Sequence, residues 1–329
     1  MALPLTAAHR RYIVIAVTTV LIVSYFMSAS KNKPSPSLGN MIPQISPPPH
    51  KANTTLVILA RNTDLSGVIS SVEQLEAKFN RKFSYPWVFL NDEPFSTDFK
   101  RRVSVLTNAN VSFGLIPREH WVQPDWIDEG RAQEGRNKLV RHGVIYGSSV
   151  SYRNMCRFNS GFFFRHELLT PYKWYWRVEP DVRYYCDLDY DPFVFMKDHT
   201  KVYGFTISMP GKFSSLMVND AHSVWSNFEI ADMDFWRSEA YTKFFEHLDN
   251  TGGFYYERWG DAPVHSIAAA LFTRKDQIHF FKDIGYKHAE FAHCPQGKQW
   301  REGHCSCDPN DNFDFAQNSC LRHLMRLDD

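Results

Sequence analysis

The 329-residue chain has almost no net charge, with 37 Lys and Arg set against 36 Asp and Glu. A protein that holds nucleic acid by its phosphates carries a basic surplus, so this balance argues against a nucleic-acid partner. Internal repeats are missing, and so is any common zinc-finger spacing among the six cysteines. Long apolar runs are scarce as well. Only "YIVIAVTTVLIVSYFM", Tyr12 to Met27, is both apolar and uncharged over sixteen residues. What remains is 43% hydrophobic and 15% aromatic, ample for one large globular core.

The single apolar run sets the organisation. With Ser28, Ala29 and Ser30 it reaches the lower limit of a spanning helix and reads as an uncleaved signal anchor over residues 12–30, preceded by a cytoplasmic tail, 1–11. A short span suits the thinner membranes of the early secretory pathway. Residues 31–50 hold six prolines and no apolar periodicity, the composition of an extended stem. The folded body is therefore expected over 51–329 and in the lumen. The sequons at Asn53 and Asn110 and the even number of cysteines agree with an oxidising compartment. Three disulfides are expected, with the near neighbours Cys305 and Cys307 pairing to different partners. A zinc site built from His293, Cys294, His304, Cys305 and Cys307 is the rival reading.

The body opens as β-α-β-α-β. "NTTLVILAR" and "YPWVFLND" are strands. Between them Leu65, Val68, Ile69, Val72, Leu75 and Phe79 recur at helical spacing, with Thr63 or Asp64 available as a cap. Such alternation predicts a mostly parallel sheet with covering helices, whose ligands dock beyond the carboxyl ends of the strands. Arg61 and Asn62, at the end of the first strand, are then candidate nucleotide contacts.

Chemistry concentrates in "WYWRVEPDVRYYCDLDYDP". "KWYWRV" is a buried-strand pattern, and Pro180 stops its ladder, leaving Glu179 and Asp181 at the strand's exit. Two carboxylates there are either an acidic turn or oxygen ligands for Mg²⁺ or Mn²⁺. Asp187, Asp189 and Asp191 read as a solvated turn. In "WSNFEIADMDFWR", Glu229 lies between Phe228 and Ile230, so it is partly desolvated and needs a partner or a task. The partner reading is a structural salt bridge to Arg237 or another base. The task reading is a nucleophile or stabiliser at a sugar anomeric carbon. In "TGGFYYERWGDAPVHS", Tyr255, Tyr256 and Trp259 could stack on sugars, Asp261 could cap the next helix, and His265 reads as a core histidine. His288 in "DIGYKHAEF" is a loop histidine that could complete a metal site.

Together "YRNMCRFNSGFF", "WYWRVEPDVRYYCDLDYDPF", "WSNFEIADMDFWRSEAY", "FFEHLDNTGGFYYERWGDAPVHSIAAALF" and "IHFFKDIGYKH" resemble the fungal Golgi α-1,2-mannosyltransferases of glycosyltransferase family 15. The likeness runs from about Thr55 to Leu321. It implies an α/β, GT-A-like nucleotide-sugar transferase fold, GDP-mannose as donor, Mn²⁺ as cofactor and a mannose-terminated glycan as acceptor. It also implies transfer to a 2-hydroxyl with retention of configuration, in a single-pass type II protein of the Golgi membrane. Carried onto this chain, the motif glutamate of "EPD" is the metal ligand Glu179, with Asp181 beside the cofactor. The histidine of "GYKH" is the metal ligand His288, and the glutamate of "NFEI" is the nucleophile candidate Glu229. His265 stays structural. Two segments depart from the family pattern: "HSVWSNFEI" before Trp225 and "GYKHAEF" after His288. Both flank site residues without replacing them. The rival in function is a noncatalytic mannan-binding or scaffold protein on the same fold.

Overall fold

The computed structural model describes residues 51–210 and 222–322. The expected tail, anchor and stem lie outside the described residues. Among the described residues no helix is long and apolar enough to cross a membrane.

Twelve strands are present among the described residues: β1 (Thr54–Leu59), β2 (Trp87–Asn91), β3 (Val111–Leu115), β4 (Trp174–Val178), β5 (Arg183–Tyr184), β6 (Tyr203–Phe205), β7 (Ser208–Pro210), β8 (His222–Val224), β9 (Glu229–Asp232), β10 (Ile278–Phe280), β11 (Tyr286–His288) and β12 (Phe291–His293). The helices that matter here are α1 (Leu65–Leu75), α2 (Thr97–Ser104), α3 (Glu129–Arg141), α4 (Val150–Gly161), α5 (Pro192–Asp198), α6 (Glu239–Thr251) and α7 (Asp261–Phe272). Seven strands form the central sheet in the order β10-β6-β9-β4-β1-β2-β3. Its pairings are parallel except those of β9, which runs antiparallel to both β4 and β6. A second sheet, β12-β11-β5, and the β7-β8 pair complete the strands.

The period of two along each strand divides the core. Leu56, Ile58, Trp174, Trp176 and Val178 face α1 and α5, packing on Val68, Val72, Leu75 and Phe193. Val57, Tyr175, Tyr203 and Ala231 face α4, α6 and α7, packing on Phe158, Tyr241, Phe245 and Val264. The mostly parallel α/β sheet and the helix over Leu65–Leu75 are as expected from the sequence. Asp64 occupies the N-cap position of α1 but makes no side-chain cap bond; its Oδ2 accepts from the Arg61 amide instead.

Of the three aspartates after β4, Asp187 and Asp189 lie at the surface as expected, and Asp191 does not. Asp187 pairs with Lys78 and Asp189 with Lys82. Asp191 caps α5 through the amides of Phe193 and Val194 and accepts the Tyr85 hydroxyl at 2.5 Å. Cysteine pairing also departs from expectation. Cys186–Cys305 and Cys294–Cys307 are the two disulfides among the described residues, and Cys156 is a buried thiol, so a third bridge does not form. Cys305 and Cys307 do take different partners. Because Cys294, Cys305 and Cys307 are all oxidised, none is a thiolate for zinc. His293 instead bonds Asp314, Nδ1 to Oδ2 at 2.7 Å. Asn110 is exposed, whereas the Asn53 amide donates to the Pro171 carbonyl at 2.8 Å.

Candidate active site

The antiparallel insertion of β9 decides the geometry of the site. In a parallel sheet ligands meet the carboxyl ends of strands. A strand running backwards brings its first residue to that same edge, and the first residue of β9 is Glu229. Its register partner is Arg177 on β4, one residue from that strand's end. Cross-strand partners share a face, so the two side chains leave the sheet together.

Arg177 is the hub. Its Nε donates to Glu179 Oε1 at 2.6 Å and its Nη1 to Asp261 Oδ2 at 2.5 Å. Asp261 also accepts from Ser226 Oγ at 2.8 Å. Burial works against the charge on this guanidinium, but Glu179, Asp261 and Glu229 outweigh it and hold its pKa well above the ordinary value. Burial likewise opposes ionisation of Asp261, yet Arg177, His265 and Ser226 keep it below the ordinary carboxylate range. Asp261 was expected to cap α7. The N-cap position belongs to Gly260, and the Asp261 carboxylate is spent on Arg177 instead. The cation beside Glu179 is thus two residues away, on the strand that Glu179 follows.

Glu229 has no exposed surface. Oε1 accepts from the Tyr203 hydroxyl at 3.1 Å and meets His265 Nδ1 at 2.7 Å, and Oε2 accepts from the Tyr175 hydroxyl at 2.5 Å. A carboxylate offers about four acceptor positions, so Oε2 keeps a lone pair beyond these three partners. Glu229, Arg177, His265 and Asn159 line a narrow cavity closed by Leu59, Phe158 and Phe163. Of the bases expected from sequence, Arg237 is elsewhere, donating to the carbonyls of Phe164, Leu169 and Tyr172, and the other base that meets Glu229 is His265. Asp232 and Asp234 both pair with Lys173.

His288 arrives from the second sheet. Tyr286 pairs with Tyr184 and Lys287 with Arg183, antiparallel. One step further that register sets His288 beside Val182, in the loop that carries Glu179 and Asp181. The ring is fixed by a stack on Trp225, 5.3 Å between centroids, and by Asn227 Nδ2 at 2.9 Å from Nδ1. Burial lowers its pKa, with Glu179 and Asp181 pulling the other way, so the imidazole is neutral near pH 7. A neutral ring is the form that binds metal. Asp181 and Ala289 both have positive φ, 60° and 49°. Aspartate tolerates this conformation, while for alanine it costs about 1 kcal/mol. Asp181, Arg183, Tyr185, Lys287, His288 and Ala289 line an open groove.

Asp181 packs directly on α1. A Cβ at Gly67 would lie 2.6 Å from Asp181 Oδ2, and the Asp181 amide donates to the Gly67 carbonyl at 3.2 Å. Gly67→Ala is therefore expected to push the Asp181 carboxylate out of place at a stability cost of about 1–3 kcal/mol. Thermal melting of the variant checks the cost; an unchanged midpoint would mean Asp181 has room to yield.

The remaining sequence candidates are placed as follows. Arg61 and Asn62 do stand past the carboxyl end of β1. Arg61 Nη2 donates to Ser151 Oγ at 2.6 Å, and the Asn62 amide bridges Pro94 O and the Ser96 amide. Tyr255 is buried, with its hydroxyl on Asn154, so it offers no face to a sugar. Tyr256 bonds the Asp128 amide under the Arg131 guanidinium. The ring of Trp259 covers Gly253. Among the described residues no three carboxylate, imidazole or thiol groups close into a full metal shell, so Glu179 and His288 with one further oxygen donor would need donors from a ligand. Sequence reading passed over Arg177, Tyr175, Tyr203 and Asn227, and it took His265 as a core histidine, which its burial bears out, without its bond to Glu229. The signal for Arg177 was present in "RVE", where positions two apart on a strand share a face.

A family profile described as glycolipid 2-alpha-mannosyltransferase matches residues 23–218 and 217–329. The chain belongs to glycosyltransferase family 15. It is 48% identical to glycolipid 2-alpha-mannosyltransferase 2 of Candida albicans, over 83% of this chain and 66% of that relative. It is 44% identical to alpha-1,2 mannosyltransferase KTR1 of Saccharomyces cerevisiae, over 87% of this chain and 81% of that one. Two solved structures agree with the fold. Core-mannan synthase A (CmsA/Ktr4) of Aspergillus fumigatus, in its Mn/GDP form, is 37% identical with a TM-score of 0.77, covering 85% of this chain and 86% of that one. The mannosyltransferase Ktr4p of S. cerevisiae in complex with GDP is 37% identical with a TM-score of 0.80, covering 84% and 82%. The family-15 chain therefore has the GT-A-like fold, and Arg177, Glu179 and Glu229 lie at the carboxyl edge of its parallel strands, where open α/β sheets take ligands.

Proposed function

We propose that this protein is a retaining α-1,2-mannosyltransferase that moves mannose from GDP-mannose to the 2-hydroxyl of a mannose acceptor, in the glycosylation of protein or cell-wall mannan. The observation that carries the reading is the convergence on Arg177. One buried guanidinium binds Glu179 and Asp261 and stands opposite Glu229, so the metal-side and sugar-side candidates belong to one ion network. The family membership and the Mn/GDP form of core-mannan synthase A point the same way.

The donor types suit a manganese ion: Glu179 would offer a carboxylate oxygen and His288 a neutral imidazole, with the remaining donors coming from the ligand. Bound there with GDP-mannose, the ion would neutralise charge on the diphosphate. Arg177 orients Glu179 by its Nε bond. Asn227 and Trp225 orient His288. With the Asn227 amide turned so that Oδ1 meets Nδ1–H, the ring presents Nε2 as the ligand atom. Glu229, held by two phenols and an imidazole, places fixed negative charge where a sugar cation develops, and retention follows whether it bonds the anomeric carbon or only stabilises it.

The test is transfer from GDP-mannose to methyl α-mannoside with and without chelator, followed by linkage analysis. The expected product is α-1,2-linked and metal-dependent. GDP release without a disaccharide, or a different linkage, would sink the reading. Asn227→Ala is expected to weaken metal affinity by about 10–100-fold through loss of ring orientation. A metal titration of activity checks it, and an unchanged midpoint removes Asn227 from the support of His288.

We also place the protein in the Golgi membrane as a single-pass type II chain with its body in the lumen. The uncharged run Tyr12–Met27 and the two disulfides of the described body support an anchored protein of an oxidising compartment. Protease protection of the body in sealed microsomes tests the orientation.

A further inference from the structure

The contacts of His265 form a closed proton account. Its Nε2 lies 3.1 Å from the Asn159 carbonyl, and a carbonyl only accepts, so Nε2 carries hydrogen. Its Nδ1 lies 2.7 Å from Glu229 Oε1. One proton must sit between that nitrogen and that oxygen. The two phenols cannot take a proton from the pair, because each already donates its own hydrogen to Glu229. Burial, and then the charge of Glu229, push Tyr175 and Tyr203 well above their ordinary values. The pair therefore has two forms, carboxylate with imidazolium or carboxylic acid with neutral imidazole.

The surroundings choose between them. His265 is 1% exposed and stacks on Trp236 at 4.3 Å between centroids. The groups facing the pair are Arg177 and Tyr175 from β4, Tyr203 from β6, Tyr241 from α6 and Asp261 from α7. Arg177 is already bonded to Glu179 and Asp261, and Asp261 in turn adds negative charge next to His265. A buried carboxylate with no cation of its own takes up a proton. The imidazolium is the cation that hydrogen-bonds Glu229 directly. We propose that His265 is a positioning residue that holds the shared proton, and so keeps Glu229 ionised and aimed for transfer. The ring does not touch the sugar; it acts through Glu229. This inference rests on the reading of Glu229 given above.

The test uses the detergent-purified full chain and three proteins: wild type, His265→Gln and Glu229→Gln. In His265→Gln the amide still bonds Glu229 but cannot hold the proton. The proton that His265 shares is then lost from the pair, so the pH profile of kcat is expected to move. At neutral pH kcat is expected to fall roughly 100-fold, the scale of one lost charge-directed contact. KM for GDP-mannose should change less than about threefold, because the lost term acts in the transition state. Selective ¹⁵N-histidine NMR of wild type with GDP, assigned against Glu229→Gln, should show both ring nitrogens of His265 protonated. That measurement decides the matter even if His265→Gln fails to fold. One bare nitrogen in wild type overturns the proposal, as does a folded His265→Gln enzyme with an unmoved pH profile. Should Glu229→Gln stay active, the reading of Glu229 falls and this inference with it. Should Glu229→Gln be inactive while His265→Gln keeps its rate and profile, only the inference falls.

Discussion

Glu229→Gln is expected to lower kcat about 1,000-fold while leaving the fold intact, the upper range for removing one preorganised electrostatic contact. The substitution is isosteric. The amide oxygen keeps one of the two phenol bonds and the amide nitrogen can donate to the other phenol, so the core around β9 is filled as before. What disappears is the negative charge. If Glu229 were only a buried structural carboxylate, the same change would shift the melting temperature and leave turnover near wild type. Measuring both on one preparation separates the readings. A variant that melts early but transfers mannose normally would remove Glu229 from the chemistry. The buried environment sharpens the contrast, because fixed charge in a site closed to water acts far more strongly than at a surface.

Arg177→Met is expected to cost about 3–5 kcal/mol of stability, the range for removing one partner of a buried ion network. The methionine fills much of the space but leaves Glu179 and Asp261 with no cation, near Glu229. For a domain whose whole stability is about 5–15 kcal/mol, that loss endangers folding. Urea unfolding measures it. The cause is checked by adding Asp261→Asn to the methionine variant. If charge repulsion is the source, the double variant recovers part of the loss, since contacting residues do not add independently. An equal loss in single and double variants would mean that Arg177 matters by packing alone. Either variant should also lose transfer, because Glu179 is oriented by the same guanidinium.

Much of this arrangement was readable from the chain, for identifiable reasons. Pro180 breaks the β4 ladder, and that alone put Glu179 and Asp181 at the exit of the strand. The apolar neighbours of Glu229 correctly announced burial. Its partners were not readable, because Tyr175, Tyr203 and His265 come from three elements, and only the antiparallel turn of β9 brings them together. His265 fits an apolar helix pattern, and periodicity cannot tell a core histidine from one bonded to a carboxylate. Asp191 was legible in principle, since Asp followed by Pro192 at the head of "PFVFMKD" is a helix start. Tyr255 misled because "GGFYY" looks like a loop, whereas Gly253–Tyr256 is one helical turn that drives that ring into the core beside α4. Cysteine pairing was readable only in that Cys305 and Cys307, too close to bridge each other, take different partners; six thiols allow fifteen sets, and spacing does not rank the rest.

The bridge from Cys186 to Cys305 spans 119 residues and ties the start of the second sheet to the last part of the chain. At ordinary rates of synthesis the first thiol waits roughly 6–24 s for its partner. During that interval the central sheet, through β4, can already form, while the sheet bearing His288 has not been made. The wall of the site that carries His288 is thus a late addition in the life of each molecule. A nascent chain stalled before residue 288 would hold Glu179 and Glu229 without His288, so the side chains of the proposed site come together only when synthesis has run nearly to its end.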